Sequence, residues 1–405
     1  MPLDNQRQTL VELLATVRDQ SARKQDLIAS TAALQARTVN VDSDKPNVTQ
    51  LILEADHGDR TQVLDANQVA FNQLASKCGI ETRTAARLQQ DYPDVLDLAI
   101  NRINHQEPKS VMLRTFDITE HTLDPVIHKM FPDGSSIAAP QSTGIARALL
   151  SDRFKTFDHP DLLESVLPVL IESDADWEIV NADVTDRRLY ARFKSNAITG
   201  QGAAVGDLMA QGVVVKNSET GHGSVSIAQL LWTLMCLNGM QTANQNRSAH
   251  LTSSRSDGDT WAMLTDESKR LDNAALSSKL RDITATFASR EMFEAVIEQF
   301  RAAASDLVGA GMAAAQPAVE ALGGVLKLSK AETSSVLDGL MQTIQQDGYR
   351  GQPLSRATLV NAVTAAAHGA DADAVSDWQA LGGKVLDLPA NQWAVVATVP
   401  VALAA

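Results

Sequence analysis

The sequence predicts an α+β protein: an antiparallel sheet built on a central β-hairpin, backed by helices, with a mostly helical C-terminal region. Three observations predict it. Trp177–Val184 and Arg188–Lys194 alternate apolar and polar residues around the turn Thr185–Arg187, which is a hairpin pattern. Asp207–Lys216 contains a third apolar strand. Beyond Trp261 the apolar spacing is helical almost throughout.

Taken in order, Gln8–Ser30 predicts one amphipathic helix, with Leu10, Leu13, Leu14 and Val17 on a shared face, and Thr31–Pro46 reads as irregular. Gln50–Ala55 and Thr61–Leu64 predict two short strands. Asn67 is placed to cap a helix running to Lys77, with Gly79 as its left-handed stop. Helices follow at Glu81–Gln90 and Asp94–Ile103, then a strand at Val111–Asp117. The prolines and glycine between Thr119 and Ser142 predict a long loop. A helix is expected over Asp161–Glu172.

Ser226–Leu237, with Ile227, Leu230, Leu231, Leu234 and Met235 at helical spacing, predicts a core helix ending at Asn238 and Gly239. One helix or helix pair is expected over Thr265–Ala314, and others at Lys330–Gln346, Ser355–His368 and Ala372–Leu381, the first capped by Ser329 with Glu332. The tail Trp393–Ala405 reads as a docking strand. The division expected is an N-terminal helical arm over 1–46, an α+β core over 47–264, and a helical region over 265–405 packed on that core.

Composition narrows function. The 405 residues carry a net charge of −14 and 4% aromatics, so a polyanion partner needs a local basic groove and few stacking platforms exist for single strands. Cys78 and Cys236 sit among apolar residues and read as buried free thiols. The N-terminus lacks an apolar stretch after a basic start, and no apolar run reaches the ~20 residues of a membrane span. A cytoplasmic protein with no membrane association is expected.

Gly200, Gly202 and Gly206 follow a strand, but their spacing is not that of a dinucleotide fingerprint. His121, Asp124 and His128 match no metal motif. No cofactor, metal or catalytic residue is assigned. The sharpest polar signal is the turn Asn217, Ser218, Glu219, Gly221, His222, Gly223. It reads either as a capped strand-to-helix connection, or as an anion contact in which glycines free backbone N–H groups at a helix start. An acid–base pair of Glu219 and His222 is a third reading. In the hairpin, Arg188, Arg192 and Lys194 share an alternation phase; with Lys216, Arg247 and His250 they form the expected nucleic-acid surface.

Several stretches in this order, ARALLSDRFKTFDHPDLLESVLP, VGDLMAQGVVVKNSETGHGSVSI, CLNGM and TLVNAVTAAAH, resemble the phage/plasmid-like family of unknown function. That family is distantly similar to ring-forming single-strand annealing proteins. The resemblance implies a homo-oligomer binding single-stranded DNA in recombination or replication; the alternative is a non-enzymatic phage structural or host-takeover protein that self-assembles.

Overall fold

The computed structural model describes residues 9–40, 44–54, 61–118, 127–130, 136–139, 142–202, 207–233, 238–241, 264–346 and 349–399. The fold is α+β, with two main sheets and helices concentrated toward the C-terminus.

The chain starts with α1 (Leu10–Arg23), opened by a capping box between Thr9 and Glu12 and buried through Leu13 and Val17. The expected single helix to Ser30 ends early: the backbone turns extended at Lys24 and continues as β1 (Lys24–Ser30). β2 (Leu34–Val39), β3 (Val48–Glu54) and β4 (Thr61–Ala66) follow. Then come α2 (Gln68–Lys77), α3 (Thr82–Asp91), α4 (Pro93–Gln106) and β5 (Ser110–Phe116). Asn67 caps α2 by accepting the Ala70 N–H, and Gly79 adopts φ +70° after it. The expected long loop contains a small pair, β6 (Ile127–Met130) with β7 (Ser136–Ala139), before β8 (Gly144–Ser151).

The first sheet runs β1-β5-β8-β4-β3-β2, antiparallel except where β4 pairs with β8. β1 and β2 belong to this sheet, so the expected boundary near residue 46 passes through it and 1–46 is not a separate arm. α2 to α4 cover one face, burying Phe71, Leu74, Leu96 and Ile100 against Leu51, Leu64, Val111 and Leu113.

α5 (His159–Glu172) leads to the second sheet: β9 (Trp177–Val184), β10 (Leu189–Gln201), β11 (Leu208–Asn217), β12 (Ser226–Thr233) and β13 (Asn238–Gln241), all antiparallel and in the spatial order β13-β12-β11-β10-β9. The hairpin and third strand stand where they were expected. The helix expected over Ser226–Leu237 does not: β12 is a strand between β11 and β13, and β13 replaces the helix stop. β12 is buried along nearly its whole length, so both faces are apolar and the period-2 signal vanishes.

One face of this sheet packs Leu189, Ala191, Phe193, Val213, Val215 and Ile227 on α1, α5 and α6 (Asp266–Phe287). Across the other face, Trp232 lies over β11 and its Nε1 donates to Phe193 O at 3.2 Å. Gly212 makes room, since a Cβ there would fall 2.6 Å from the indole ring. Gly212→Ala is therefore expected to displace Trp232 and cost about 1–3 kcal/mol. A lowered urea midpoint with shifted tryptophan emission checks this; an unchanged midpoint refutes it.

α7 (Arg290–Ser305), α8 (Ala315–Leu326), α9 (Lys330–Gln345), α10 (Arg356–Ala365), α11 (Ala372–Leu386) and α12 (Ala390–Ala397) follow among the described residues. They share a core with Met209, Leu231 and Met240 of the second sheet. The Ser329–Glu332 capping box and an Asp371 cap are both present. The tail expected as a strand from Trp393 is instead α12, with Trp393 and Val396 facing inward.

Candidate functional site

The turn after Asn217 joins strand to strand, β11 to β12, so no helix dipole stands behind Gly223. Gly221 at φ +78° and Gly223 at φ +147° let the chain fold back sharply. Its polar groups bond to the protein. Asn217 Nδ2 donates to Phe157 O at 2.8 Å, and Ser218 Oγ donates to Arg187 O at 2.7 Å. Thr220 Oγ1 donates toward Asp186 O and Arg187 O at 3.1 Å each, and Thr220 O accepts from Gln73 Nε2 at 2.7 Å. The turn thereby ties α2, the β9–β10 connection and the segment before α5 together.

Glu219 is the centre of this arrangement. It is a capping carboxylate, for α5 rather than for a helix after the turn: Oε1 accepts the His159 N–H at 2.8 Å. Oε2 accepts from Arg147 Nη1 at 2.9 Å. Arg147 reaches it because the β5–β8 register passes from Arg114↔Ala148 to Thr115↔Ala146, leaving Arg147 as a bulge residue. The guanidinium of Arg147 also stacks 4.0 Å from the Phe116 ring centre.

Below it, Arg114 is fully buried, yet all three guanidinium nitrogens are bonded. Nε and Nη2 each reach Asp26 at 3.0 Å, Nη2 reaches Asp158 at 2.7 Å, and Nη1 donates to Glu219 O at 3.0 Å. Lys24 also pairs with Asp158.

Burial by itself would raise the Glu219 carboxyl. Its neighbours His159, Arg114 and Arg147, with the His159 N–H, outweigh burial and hold it at about 2. Burial pushes His159 down to about 4, with Arg147 adding to the effect and Glu219 opposing it. Asn217 Nδ2 lies 3.2 Å from His159 Nδ1 and must be the donor, which makes the ring a neutral acceptor. His222 is separate from this cluster: its Nδ1 sits 3.1 Å from Thr220 O and donates there, so no direct Glu219–His222 pair forms.

The basic residues divide differently from expectation. Arg192 and Lys194 do share a face of β10, with Arg188 just before it and Lys216 opposite Tyr190 on β11. That face is not open. α11 covers it, so Arg192 is 1% exposed and Tyr190 bonds to Asp373. Lys194 pairs with Glu178 at 2.6 Å. An exposed phosphate-tracking stripe is therefore not what this face presents. Arg247 and His250 lie outside the described residues, as do Cys236, His121 and Asp124. Cys78 is buried and free.

Sequence reasoning missed the buried roles of Arg114, Arg147, His159, Tyr190, Gln241 and Gln379, and counted Arg147 only as added positive charge. A signal existed for two of them. Arg114 and Arg147 each interrupt an apolar strand, VMLRTF and GIARALL, and a charge inside such a run needs a buried partner. Among the described residues no cluster of three or more His, Cys, Asp or Glu is arranged to hold a metal, and no helix is long and apolar enough to cross a membrane. Comparison with protein-family models, curated proteins and solved structures gives no match.

Proposed function

We propose that this protein is non-enzymatic and works by self-assembly, in the phage or plasmid setting that its resemblance implies. The outer face of α4 supports this reading. Tyr92, Val95 and Leu98 are 50%, 48% and 68% exposed, while Leu96 and Ile100 hold the opposite face in the core. At 100° per residue the three cover an arc of about 120°, a contiguous apolar stripe rather than scattered exposure. A second copy of the chain is the occupant proposed for it. Among the described residues β1 is an edge strand that pairs only with β5, with Ile28 exposed on it.

The net charge of −14 opposes association at long range, so added salt should strengthen it. Light scattering of the wild type at micromolar concentration is expected to give a defined oligomer, reduced to monomer by Val95→Asp with Leu98→Asp. A wild-type monomer at all salt concentrations defeats the proposal.

A second reading, single-stranded DNA binding, has one specific support. Among the described residues, no carboxylate lies within 4 Å of the charged nitrogens of Arg188 or Lys216. Nucleic-acid binding weakens with salt, the opposite sign to self-assembly. Fluorescence anisotropy with a labelled oligonucleotide separates the two; no rise at low salt removes the DNA reading.

A further inference from the structure

The buried face between the second sheet and α11 gathers three cations whose hydrogen-bonding capacity is only partly used. Arg192 Nε donates to Gln379 Oε1 at 3.1 Å. Its Nη1 is 3.4 Å from both Asn181 Oδ1 and Asp183 Oδ2, and its Nη2 has no hydrogen-bond partner among the described residues. Lys216, diagonal to Arg192 across the β10–β11 ladder, bonds to Gln241 Oε1 at 2.8 Å. Arg188 spends Nε on His222 O at 2.5 Å and Nη1 on Tyr190 Oη at 3.1 Å.

The amides around these cations are oriented to serve them. Gln379 Oε1 accepts from Arg192 and from Gln241 Nε2 at 3.1 Å, while Gln241 Oε1 faces Lys216. Tyr190 is spoken for by Asp373. The acidic groups near the site are Asp183, which is Arg192's long contact, Asp373, and Asp377 on the exposed side of α11.

A guanidinium at 1% exposure with an unbonded nitrogen is costly, since a buried unsatisfied donor loses about 1–3 kcal/mol and a charged one more. Two further cations nearby add like-charge repulsion. Both burial and Arg192 depress Lys216, to about 8. An oxyanion supplies what is missing: acceptor oxygens for Arg192 Nη2, for the remaining Lys216 hydrogens and for Arg188 Nη2, together with compensating charge. Lys216, opposite Tyr190, lies diagonal to Arg192 at about 7–8 Å between Cβ atoms, and Arg188 stands on its other side just before β10, so an anion beside Lys216 lies between two long arginine side chains.

We propose that Arg188, Arg192 and Lys216 form a binding site for a single phosphate group, entering past the partly exposed Arg188 and Lys216 and ending on the buried Arg192. Because α11 encloses Arg192, the ligand proposed is a free phosphate or the terminal phosphate of a small monoester, since a polymer backbone cannot follow to Arg192. This site goes beyond the self-assembly reading and does not depend on it.

The test is calorimetric titration of the full chain with inorganic phosphate, and separately with a nucleoside 5′-monophosphate, against chloride at equal ionic strength. One saturable phosphate site per chain is expected, weakened at least tenfold (about 1.4 kcal/mol) in Lys216→Met and Arg188→Gln. Thermal melts without phosphate show that these variants fold. Tighter binding of the nucleotide identifies a monoester as the ligand; equal binding identifies free phosphate. Absence of saturation in folded wild type up to roughly 10 mM phosphate, or undiminished binding by both variants, overturns the proposal. A positive result beside a monomer in light scattering sinks only the assembly reading, and the reverse sinks only this site.

Discussion

Glu219→Ala is expected to cost about 3–5 kcal/mol of folding free energy. The reason is what the substitution leaves behind. Arg147 is 4% exposed and would keep its charge with no carboxylate opposite. The first N–H of α5 would lose its acceptor as well. Glu219→Gln should cost less, because the amide oxygen still accepts from His159. A second change, Arg147→Met, should recover much of the loss in the alanine variant, since it removes the stranded cation together with its solvation penalty. Urea midpoints of the four proteins measure this. A loss below about 1 kcal/mol for Glu219→Ala would mean that water reaches Arg147 and that the buried network contributes little.

Stability should also fall steeply in mild acid because of His159. Its folded value of about 4 lies below the ordinary 6.5. Between these two values the unfolded chain takes up a proton and the folded one does not. Stability is therefore complete above pH 6.5 and is lost as pH falls toward 4, by about 3 kcal/mol at about 1.4 kcal/mol per pH unit. Glu219 acts in the next window. Its carboxyl is depressed from 4.5 to about 2, so its contribution is present above pH 4.5 and disappears as pH falls toward 2. The groups facing His159 are Glu219, Asp158, Arg147 and Arg114. His159→Asn places an amide oxygen near the Nδ1 position and cannot titrate. It should flatten the limb from pH 6.5 to 4 and shrink the lower one, where Arg114, Arg147 and the residue 159 N–H would be left to depress Glu219 without the imidazolium. Persistence of the upper limb in that variant would assign it to another group.

What was legible in the sequence was local. The hairpin around Thr185, the Asn67 cap and the Ser329–Glu332 box are each specified within a few residues, and each is present. What was illegible depends on neighbours far along the chain. Arg114 finds Glu219 at a separation of 105 residues, and Arg147 finds it at 72. Strand β12 lost its alternation because partners cover both faces. Helix α1 ends at Arg23 with no glycine or proline to mark the stop, because Lys24–Phe116 pairing captures the chain as β1. For the basic residues, alternation correctly placed Arg192 and Lys194 on one face; it carried no information about α11 lying across that face.

Surface connections usually accept an extra residue at little cost, which makes them the natural places for variation in length. The link from β11 to β12 is excluded from that freedom. One inserted residue would move Glu219 away from Arg147 and His159 at once, and would withdraw the Thr220 carbonyl from Gln73. Its residues Ser218, Glu219 and Thr220 are buried and behave as part of the molecule's interior although they belong to a turn, so natural or engineered insertions belong elsewhere in the chain.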